Sequence, residues 1–259
     1  SKGFELAPRD GHFLRPPICG TFFCKSPGKR TAAPPLLPPN AFQRRSALMP
    51  DTMPDSSPPQ PREEHFLELT AGLETPRFLL TPLETGDAHA LLTHFQDPRV
   101  TEFMDIDPFT GLGEAEEVIY WAESLRTAAQ GVRWAIREKG QDGAAGTFLG
   151  TCGFNTLVYE RARRGEVAYD LSPSYWGKGV MAEIMPQLIA LAAGPLALRR
   201  LEAMVTPGNT RSIRLLERHG FEQEGLLRQH AYWKGRFWDQ LIFGQVLEGN
   251  GSGGIRGGL

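Results

Sequence analysis

Two glycines flank a lysine in the stretch SYWGKGVMAE, residues 174–183, between a strand-like run and a helix-like run. The backbone N–H groups at the start of a helix lack partners, and the positive end of the helix dipole attracts phosphate or pyrophosphate. Gly177 and Gly179 have no side chains, so the backbone there can approach such an anion closely. The stretch therefore predicts an anion site, although a strand-to-helix turn that needs glycine only for its backbone angles would give the same pattern.

The spacing around Lys178 excludes a P-loop, which needs the pattern G-x-x-x-x-G-K-[ST] and its hydroxyl group for magnesium. A Rossmann fingerprint needs a third glycine and an acidic residue about twenty positions further on, within a parallel sheet. Met181 and Ala182 stand where the third glycine would lie, and the neighbouring strands are predicted to be antiparallel. The sequence thus disfavours a dinucleotide site.

The elements that position these residues alternate along the chain. Apolar residues at helical spacing predict helices, and short runs bounded by turn residues predict strands. In chain order, the predicted elements are a strand at 77–81, helices at 87–96, from Asp97 and at 113–129, strands at 133–138, 148–155 and 166–171, a helix at 179–193, a strand at 201–206, a helix at 210–219, and strands at 222–232 and 237–247. Antiparallel hairpins beside one strand–helix–strand crossover indicate an α+β fold with a mixed sheet.

The two ends of the chain differ in composition from its middle. Of the 21 prolines, 13 fall in residues 1–61, and this segment holds 8 Lys/Arg against 4 Asp/Glu. Because it lacks periodic apolar faces, it is predicted to be a disordered, Pro-rich tail. The glycine-rich residues 249–259 are predicted to be a flexible tail, which leaves residues 62–248 as the folded domain.

The overall composition limits the classes of function. The formal net charge of −2 for 259 residues argues against a general nucleic-acid binder. No apolar run is long enough to span a bilayer, and a reducing, cytoplasmic setting without membrane attachment is predicted. Cys19, Cys24 and Cys152 do not have the spacing of a zinc site, so no metal is predicted.

A second group of residues decides which anion is expected. The segment VTPGNTRSIRLLERHGF, residues 205–221, places Asn209 and Ser212 one helical turn apart at a helix start. Together with YWGKGVMAE, the turn GRFWD ending at Asp239, the first-strand motif R-x-L-L-x-P-L and the helix opening DPRV, this segment resembles the GCN5-related N-acetyltransferases (GNAT). The resemblance covers about residues 75–247. It is closest to the RimJ/RimL-like group, which acetylates the N-terminal amines of ribosomal proteins.

The resemblance implies a fold, a donor and a set of binding residues. The GNAT fold has a mixed, mostly antiparallel sheet of six to seven strands, with helices on both faces and a splay between the fourth and fifth strands. The donor would be acetyl-CoA, and its pantetheine arm would bond the backbone of the splayed strand near Asp170, Leu171 and Ser172. Asn209 and Ser212 match family positions at the pantetheine and sulfur end. The family's loop wraps the pyrophosphate, which assigns to it the backbone of Trp176, Gly177, Lys178, Gly179, Val180, Met181 and Ala182.

An acyl thioester is already activated, so the resemblance implies direct attack by a neutral amine in a ternary complex. Glu166 is the first candidate for the general base, because a carboxylate on the splayed strand can face the acceptor groove; a solvated pairing with Arg163 or Arg164 is the alternative. Asp170 shares that strand face and is the second candidate. Ser212 is the candidate acid for the leaving thiolate, unless it only caps its helix.

Three functions stay open at this point. The leading hypothesis is acetylation of a protein N-terminus, because an α-amine with a pKa of about 7.7 to 8.0 demands less of a base than lysine at about 10.4. A small amine such as an antibiotic or polyamine is the second, and the 26 Asp/Glu against 20 Lys/Arg in residues 62–259 are compatible with it. The third is a non-catalytic CoA-binding module, suggested by Ala231 where some relatives carry a catalytic glutamate. We expect a monomer or a homodimer.

Overall fold

The computed structural model describes residues 61–160 and 162–247. Its strands are β1 (Leu73–Glu74), β2 (Phe78–Pro82), β3 (Val132–Lys139), β4 (Ala145–Val158), β5 (Arg164–Leu171), β6 (Arg200–Val205), β7 (Glu222–Trp233) and β8 (Arg236–Val246). Its α-helices are α1 (Glu63–Leu69), α2 (Ala88–Phe95), α3 (Pro98–Thr101), α4 (Leu112–Thr127), α5 (Val180–Ala193) and α6 (Thr210–Arg218). Every element predicted from the sequence is present within a few residues of its expected position.

The strands form one sheet in the order β1-β2-β3-β4-β5-β6-β8-β7. All neighbouring pairs are antiparallel except β5 and β6, which are parallel and are joined by helix α5. This confirms the mixed, mostly antiparallel sheet. The sheet has eight strands rather than six or seven, because the two-residue β1 pairs with β2 at its edge and is too short to show a periodic pattern in the sequence.

Helices cover both faces of the sheet, as expected. The larger core contains Phe66 of α1 and the apolar sides of α5 and α6, packed against sheet residues such as Trp134 and Phe154. The smaller core joins α2, α3 and α4 over the opposite face. Helix α1 was not predicted, because of its seven residues only Phe66 is fully buried and no apolar periodicity can develop.

The parallel pair β5 and β6 separates soon after it forms. Only three residue pairs are in register, from Arg164 opposite Arg200 to Glu166 opposite Glu202. Beyond Glu166, strand β5 continues to pair with β4 alone. On β4, Asn155 is an extra residue opposite the Glu166 position, and a bulge of this kind bends and twists a strand. The predicted splay between the fourth and fifth long strands is confirmed.

The predicted tails, residues 1–61 and 249–259, lie outside the described residues except for Pro61 and stay predictions. Cys19 and Cys24 lie there as well. Within the described part of the chain, no helix is both long enough and apolar enough to cross a membrane.

Phe154 tests the larger core. Its side chain is fully buried on β4 and lies edge-on to Trp134, with 6.5 Å between ring centroids. We expect Phe154→Ala to lower the free energy of unfolding by about 3 to 5 kcal/mol, through lost apolar burial and the cavity left behind. Urea denaturation measures the change. The control is Tyr120→Ala on α4, where the side chain is 60% exposed and the loss should be small. Equal losses in the two variants would contradict this assignment of the core.

Candidate active site

A cavity of about 500 Å³ opens where β5 and β6 separate. Its walls include the open edge of β5 from Val167 to Leu171, the end of β6, the loop before α5 and one side of α6. Val100 and Phe103, near α3, line the end on the opposite side of the sheet. The cavity therefore has walls from both faces of the sheet and passes through the gap between the strands.

The loop before α5 needs glycine at two positions. Gly177 has φ 72° and Gly179, the residue that caps α5, has φ 75°, and both angles lie in the left-handed region. A Cβ atom would meet nothing within 4 Å at Gly177, so the requirement there is conformational rather than steric. The first N–H groups of α5, on Val180, Met181 and Ala182, precede the first bond back to the loop and can receive an anion.

Arg77, the first residue of the first-strand motif, is hydrogen-bonded to this loop. Its guanidinium bonds the Glu183 carboxylate at 2.6 Å and donates to the carbonyl oxygens of Lys178 and Gly179 at 3.3 and 3.4 Å. In a trans peptide the N–H of the next residue points opposite to the carbonyl, so the N–H groups of Gly179 and Val180 point away from Arg77. Both residues line the cavity. Backbone N–H groups are thereby presented to it in a fixed orientation.

The side chain of Lys178 lies elsewhere. Its Nζ atom sits 5.2 Å from the centroid of the Tyr175 ring, and Lys178 does not line the cavity. The side chains of Val180 and Met181 are buried in the larger core. An anion in this loop would therefore contact backbone rather than these side chains.

Trp176 connects the loop to the end of β5. Its Nε1 donates to the Leu171 carbonyl at 2.8 Å, and the Ser172 N–H donates to the Leu149 carbonyl at 2.8 Å. The Ser172 N–H is thus already used, whereas the Leu171 carbonyl can accept a second hydrogen bond, and the expected role of the two residues toward pantetheine stays a prediction. The open edge that remains for a ligand is the preceding part of β5, residues 167–170.

Asp170 lies at the centre of a buried polar network. Its carboxylate accepts from Arg133 Nη2 at 2.5 Å, bonds His94 Nε2 at 2.7 Å, and accepts from the backbone and hydroxyl groups of Thr151 at 2.9 and 2.6 Å. His94 Nδ1 also bonds Ser172 Oγ at 2.8 Å. Burial alone would raise the pKa of Asp170, but the charge of Arg133 and these hydrogen bonds outweigh it and lower the pKa to about 2.

These contacts correct the role expected for Asp170. A general base must accept a proton near neutral pH, and a carboxylate held at a pKa of about 2 does so poorly. Asp170 instead anchors β5 to β3, β4 and α2. It stays on the strand face predicted from the sequence, the same face as Glu166.

Glu166 lies at the last residue pair before β5 and β6 separate, and its side chain lines the cavity. It is only 8% exposed, and the guanidinium of Arg164 pairs with Glu202 instead. Burial and the neighbouring charge of Glu202 raise the pKa of Glu166 to about 7, although Arg164 opposes them. The buried position of Glu166 does not fit the alternative of a solvated pairing with arginine. It fits a carboxylate that accepts a proton.

Ser212 and Asn209 have different roles at the start of α6. Asn209 caps the helix, because its Oδ1 accepts from the Ser212 N–H at 3.2 Å. The Ser212 hydroxyl group is hydrogen-bonded to the Tyr169 hydroxyl group at 2.7 Å. The capping alternative for Ser212 is therefore taken by Asn209, and Ser212 presents a hydroxyl group beside the cavity.

The candidate base and the hydroxyl pair lie on opposite faces of β5. Side chains alternate along a strand, so Glu166 and Asp170 point to one face while Tyr169 points to the other. The contacts agree, since Asp170 reaches His94 of α2 and Tyr169 reaches Ser212 of α6. A molecule that enters from the α2 side would meet Glu166, and one that enters from the α6 side would meet the hydroxyl groups.

Sequence reasoning missed three residues of this site: Arg77, His94 and Tyr169. Arg77 stood out only as part of a motif, and nothing in the sequence distinguishes His94 from the other five histidines. Tyr169 had a usable signal, because it alternates with Glu166 and Asp170 and must face the helices of the crossover. Among the described residues, no three His, Cys, Asp or Glu side chains are arranged to hold a metal ion.

The geometry can be compared with known proteins. Residues 77–222 match the family described as "Acetyltransferase (GNAT) domain", which is more than half of the chain. The chain belongs to the GNAT family. It is an acetyl-CoA-dependent N-acetyltransferase, and the resemblance seen in its motifs is confirmed.

Two relatives and one structure illustrate this membership. A Bacillus licheniformis protein described as uncharacterized N-acetyltransferase p20 is 40% identical over 171 residues, which are 66% of this chain and 93% of that protein. The Escherichia coli (strain K12) ribosomal protein uS5-alanine N-acetyltransferase is 28% identical over 94 residues, which are 36% of this chain and 48% of that protein. Mycobacterium smegmatis RimJ, solved in complex with CoA-disulfide, shares the fold with a TM-score of 0.60 at 19% identity, over 68% of this chain and 85% of that chain.

The environment of Glu166 gives this acetyltransferase a testable pH dependence. Glu202→Gln removes a negative charge that raises the pKa of Glu166 and leaves the opposing charge of Arg164 unpaired. Both changes lower the pKa of Glu166, so its base form should persist to lower pH. We expect the acid limb of the pH profile of kcat/KM to shift to lower pH in this variant.

A matched control is Glu224→Gln. Glu224 also pairs with Arg200, as Glu202 does, but it does not influence the pKa of Glu166. The amine acceptor titrates identically with every variant, so a difference between the two profiles reports the enzyme. An acid limb that moves equally in both variants, or in neither, would mean that Glu166 is not the titrating base.

Proposed function

We propose that this enzyme transfers an acetyl group from acetyl-CoA to the N-terminal α-amine of a protein, by direct attack within a ternary complex. The observation that carries the proposal is Glu166, a carboxylate with a pKa of about 7 in the cavity where β5 and β6 separate. The donor would enter from the α6 side and the acceptor from the α2 side. The two would meet in the gap of the sheet.

The loop before α5 suits the pyrophosphate of the donor. Gly177 and Gly179 hold left-handed backbone angles, and Arg77 turns the N–H groups of Gly179 and Val180 away from itself. The positive end of the α5 helix dipole lies at the same place and also attracts an anion. The open edge of β5 at 167–170 offers backbone groups for the pantetheine arm, which would bring the thioester between Glu166 and Ser212.

The pKa of Glu166 separates an α-amine from a lysine. An α-ammonium group has a pKa of about 7.7 to 8.0, so moving its proton to a carboxylate with a pKa near 7 costs about 1 kcal/mol. A lysine ammonium group at about 10.4 would cost about 5 kcal/mol for the same transfer. An α-amine can therefore be deprotonated by this base at little expense, whereas lysine would need a further device to lower its pKa.

The proposed chemistry needs no covalent enzyme intermediate. Glu166 takes a proton from the acceptor ammonium group, and the free amine nitrogen attacks the thioester carbonyl carbon. A backbone N–H on the open edge of β5 would stabilise the resulting oxyanion. When the C–S bond breaks, the thiolate accepts the proton of the Ser212 hydroxyl group, which the Tyr169 hydroxyl group supports by its 2.7 Å hydrogen bond. The attacking nitrogen releases its second proton to solvent as the neutral amide forms, and Ser212 takes a proton back from solvent.

The relatives support a protein acceptor. The aligned Escherichia coli protein is described as acting on an alanine of ribosomal protein uS5, and other solved structures of this fold are described as acting on ribosomal L7/L12. The part of the cavity wall near α3 contains the apolar side chains of Val100, Phe103 and Met104 beside the cation of Arg99. Such a surface suits the first residues of a peptide better than a polycation.

Gly179 tests the donor loop. Alanine in the left-handed conformation costs about 1 to 2 kcal/mol, so Gly179→Ala should weaken CoA binding by roughly tenfold as the loop is strained or shifts. Isothermal titration with CoA measures this change. The control is Gly113→Ala in α4, where a Cβ atom meets nothing within 4 Å and the backbone angle is not positive. CoA binding that is unchanged in both variants would contradict the loop assignment.

The acceptor is tested with a panel of amines at matched concentration. We expect thiol release from acetyl-CoA with peptides that carry a free N-terminus, and little release when the same peptides have a blocked N-terminus and an internal lysine. Glu166→Gln, which retains shape but not basicity, controls for uncatalysed acetylation. Turnover with polyamines or aminoglycosides, but with no peptide, would contradict the proposed acceptor while leaving the donor site intact.

A further inference from the structure

The turn between β7 and β8 carries a residue that its backbone does not favour. Lys234 and Gly235 form this two-residue turn, and their φ angles are 49° and 74°. Two positive φ angles are typical of a type I′ turn, in which asparagine followed by glycine is the preferred pair. A lysine at the first position adopts the left-handed conformation at a cost. The local backbone therefore does not explain Lys234, and its side-chain contact becomes informative.

The side chain of Lys234 reaches the segment that follows α3. Its Nζ atom donates to the Thr101 carbonyl oxygen at 2.5 Å, and the Met104 N–H donates to the same oxygen at 3.0 Å. Burial lowers the pKa of Lys234, and three carboxylates of this segment oppose the effect: Asp107, Asp105 and Glu102. The lysine is therefore half-buried against residues 101–107 and does not simply extend into solvent.

The aromatic residues beside the turn hold it in place. The rings of Trp233 and Trp238 are stacked, with 5.3 Å between their centroids and 3° between their planes. Trp238 Nε1 donates to the Trp233 carbonyl at 3.0 Å, and the guanidinium of Arg236 lies 3.5 Å from the centroid of the Trp238 ring. Because the residues on both sides of the turn are fixed, the Lys234 side chain starts from a defined position.

The segment that Lys234 contacts forms part of the cavity wall. Val100, Phe103 and Met104 line the cavity near α3. Thr206, which follows β6, donates its hydroxyl proton to the Phe103 carbonyl at 2.9 Å. The wall is thus attached to the sheet by the end of β6 and by the turn between β7 and β8.

We infer that Lys234 is a positioning residue for the amine acceptor, because its bond to the Thr101 carbonyl holds the cavity wall at Phe103 and Met104. This inference rests on the proposed function, since it takes the acceptor to bind against the wall near α3. Lys234 does not line the cavity, so it acts through the wall and touches neither substrate. Its hydrogen bond and the charges that influence it belong to residues 101–107 rather than to the loop before α5, so donor binding is independent of it.

Two substitutions of Lys234 test this role. Lys234→Asn removes the donor and gives the turn its preferred residue, whereas Lys234→Met keeps the apolar stem and removes only the ammonium group. A hydrogen bond from a charged donor is among the stronger ones, so its loss should raise the KM for the acceptor about fivefold in both variants. We expect kcat and the KM for acetyl-CoA to stay close to the wild-type values. Steady-state kinetics measures all three, with the amine that the wild-type enzyme uses best in the panel described above.

The matched control is Gln229→Asn. Gln229 is exposed on β7 and also has a φ angle of 49°, so asparagine relieves the same backbone conformation there. This control should keep the wild-type KM for the acceptor. The midpoint of urea denaturation should stay near the wild-type value in the control and in Lys234→Asn, which separates an effect on acceptor binding from a loss of folded protein.

Amide hydrogen exchange without substrates gives a readout that needs no turnover. Peptides that cover residues 99–107 should exchange faster in both Lys234 variants than in the wild-type enzyme and in Gln229→Asn. Unchanged exchange in this segment, or a KM that rises equally for acceptor and acetyl-CoA, would overturn the role of Lys234. If the best acceptor in the panel is not a peptide, the proposed function fails, while the KM for that acceptor still decides the role of Lys234.

Discussion

The separation of β5 from β6 after a three-residue parallel ladder is the constraint on which the rest of this site depends. A sheet strand that loses a neighbour exposes a row of N–H and C=O groups, and such groups are costly when they are buried without partners. Here they line a cavity that admits water or a ligand. The bulge at Asn155 on β4 lies opposite the point of separation and bends the strands locally. The same backbone that lacks a strand partner becomes the wall of the binding site.

Strand β5 has one edge without a partner strand, so contacts of other kinds must hold it in place. The hydrogen bonds of Asp170 are such contacts. Arg133 from β3, Thr151 from β4 and His94 from α2 all bond its carboxylate, so β5 is tied to three elements on its paired side. A buried charge is tolerated only when it is paired and hydrogen-bonded, and this one has partners for both oxygens. The arrangement explains why two carboxylates on one strand face have pKa values of about 2 and about 7. Glu166, without such an anchor, is left able to take up a proton.

The sequence was most informative where a residue type has a local reason for its place. Gly179 could be predicted because only glycine takes a left-handed backbone angle at little cost, and Asn209 because it precedes a helix. Glu166 could be placed toward the acceptor groove by the family's splayed strand, and strand alternation put Asp170 on the same face. The role of Asp170 could not be predicted, because its partners Arg133 and His94 lie 37 and 76 residues away along the chain. Strand β1 and helix α1 are too short for a periodic pattern, so they became visible only through their packing.

One arrangement in the structure invites a different mechanism, and its details argue against it. Ser172, His94 and Asp170 are connected in sequence by hydrogen bonds of 2.8 and 2.7 Å, as in a catalytic triad. A triad needs a carboxylate free to stabilise a protonated imidazole, but Asp170 is already paired with Arg133, and Ser172 does not line the cavity. Cys152, the cysteine within the described chain, is fully buried, and burial raises the pKa of its thiol. The described residues thus place no activated nucleophile at the gap, and a base on one face of β5 with a hydroxyl pair on the other supports the proposal of direct transfer between two bound substrates.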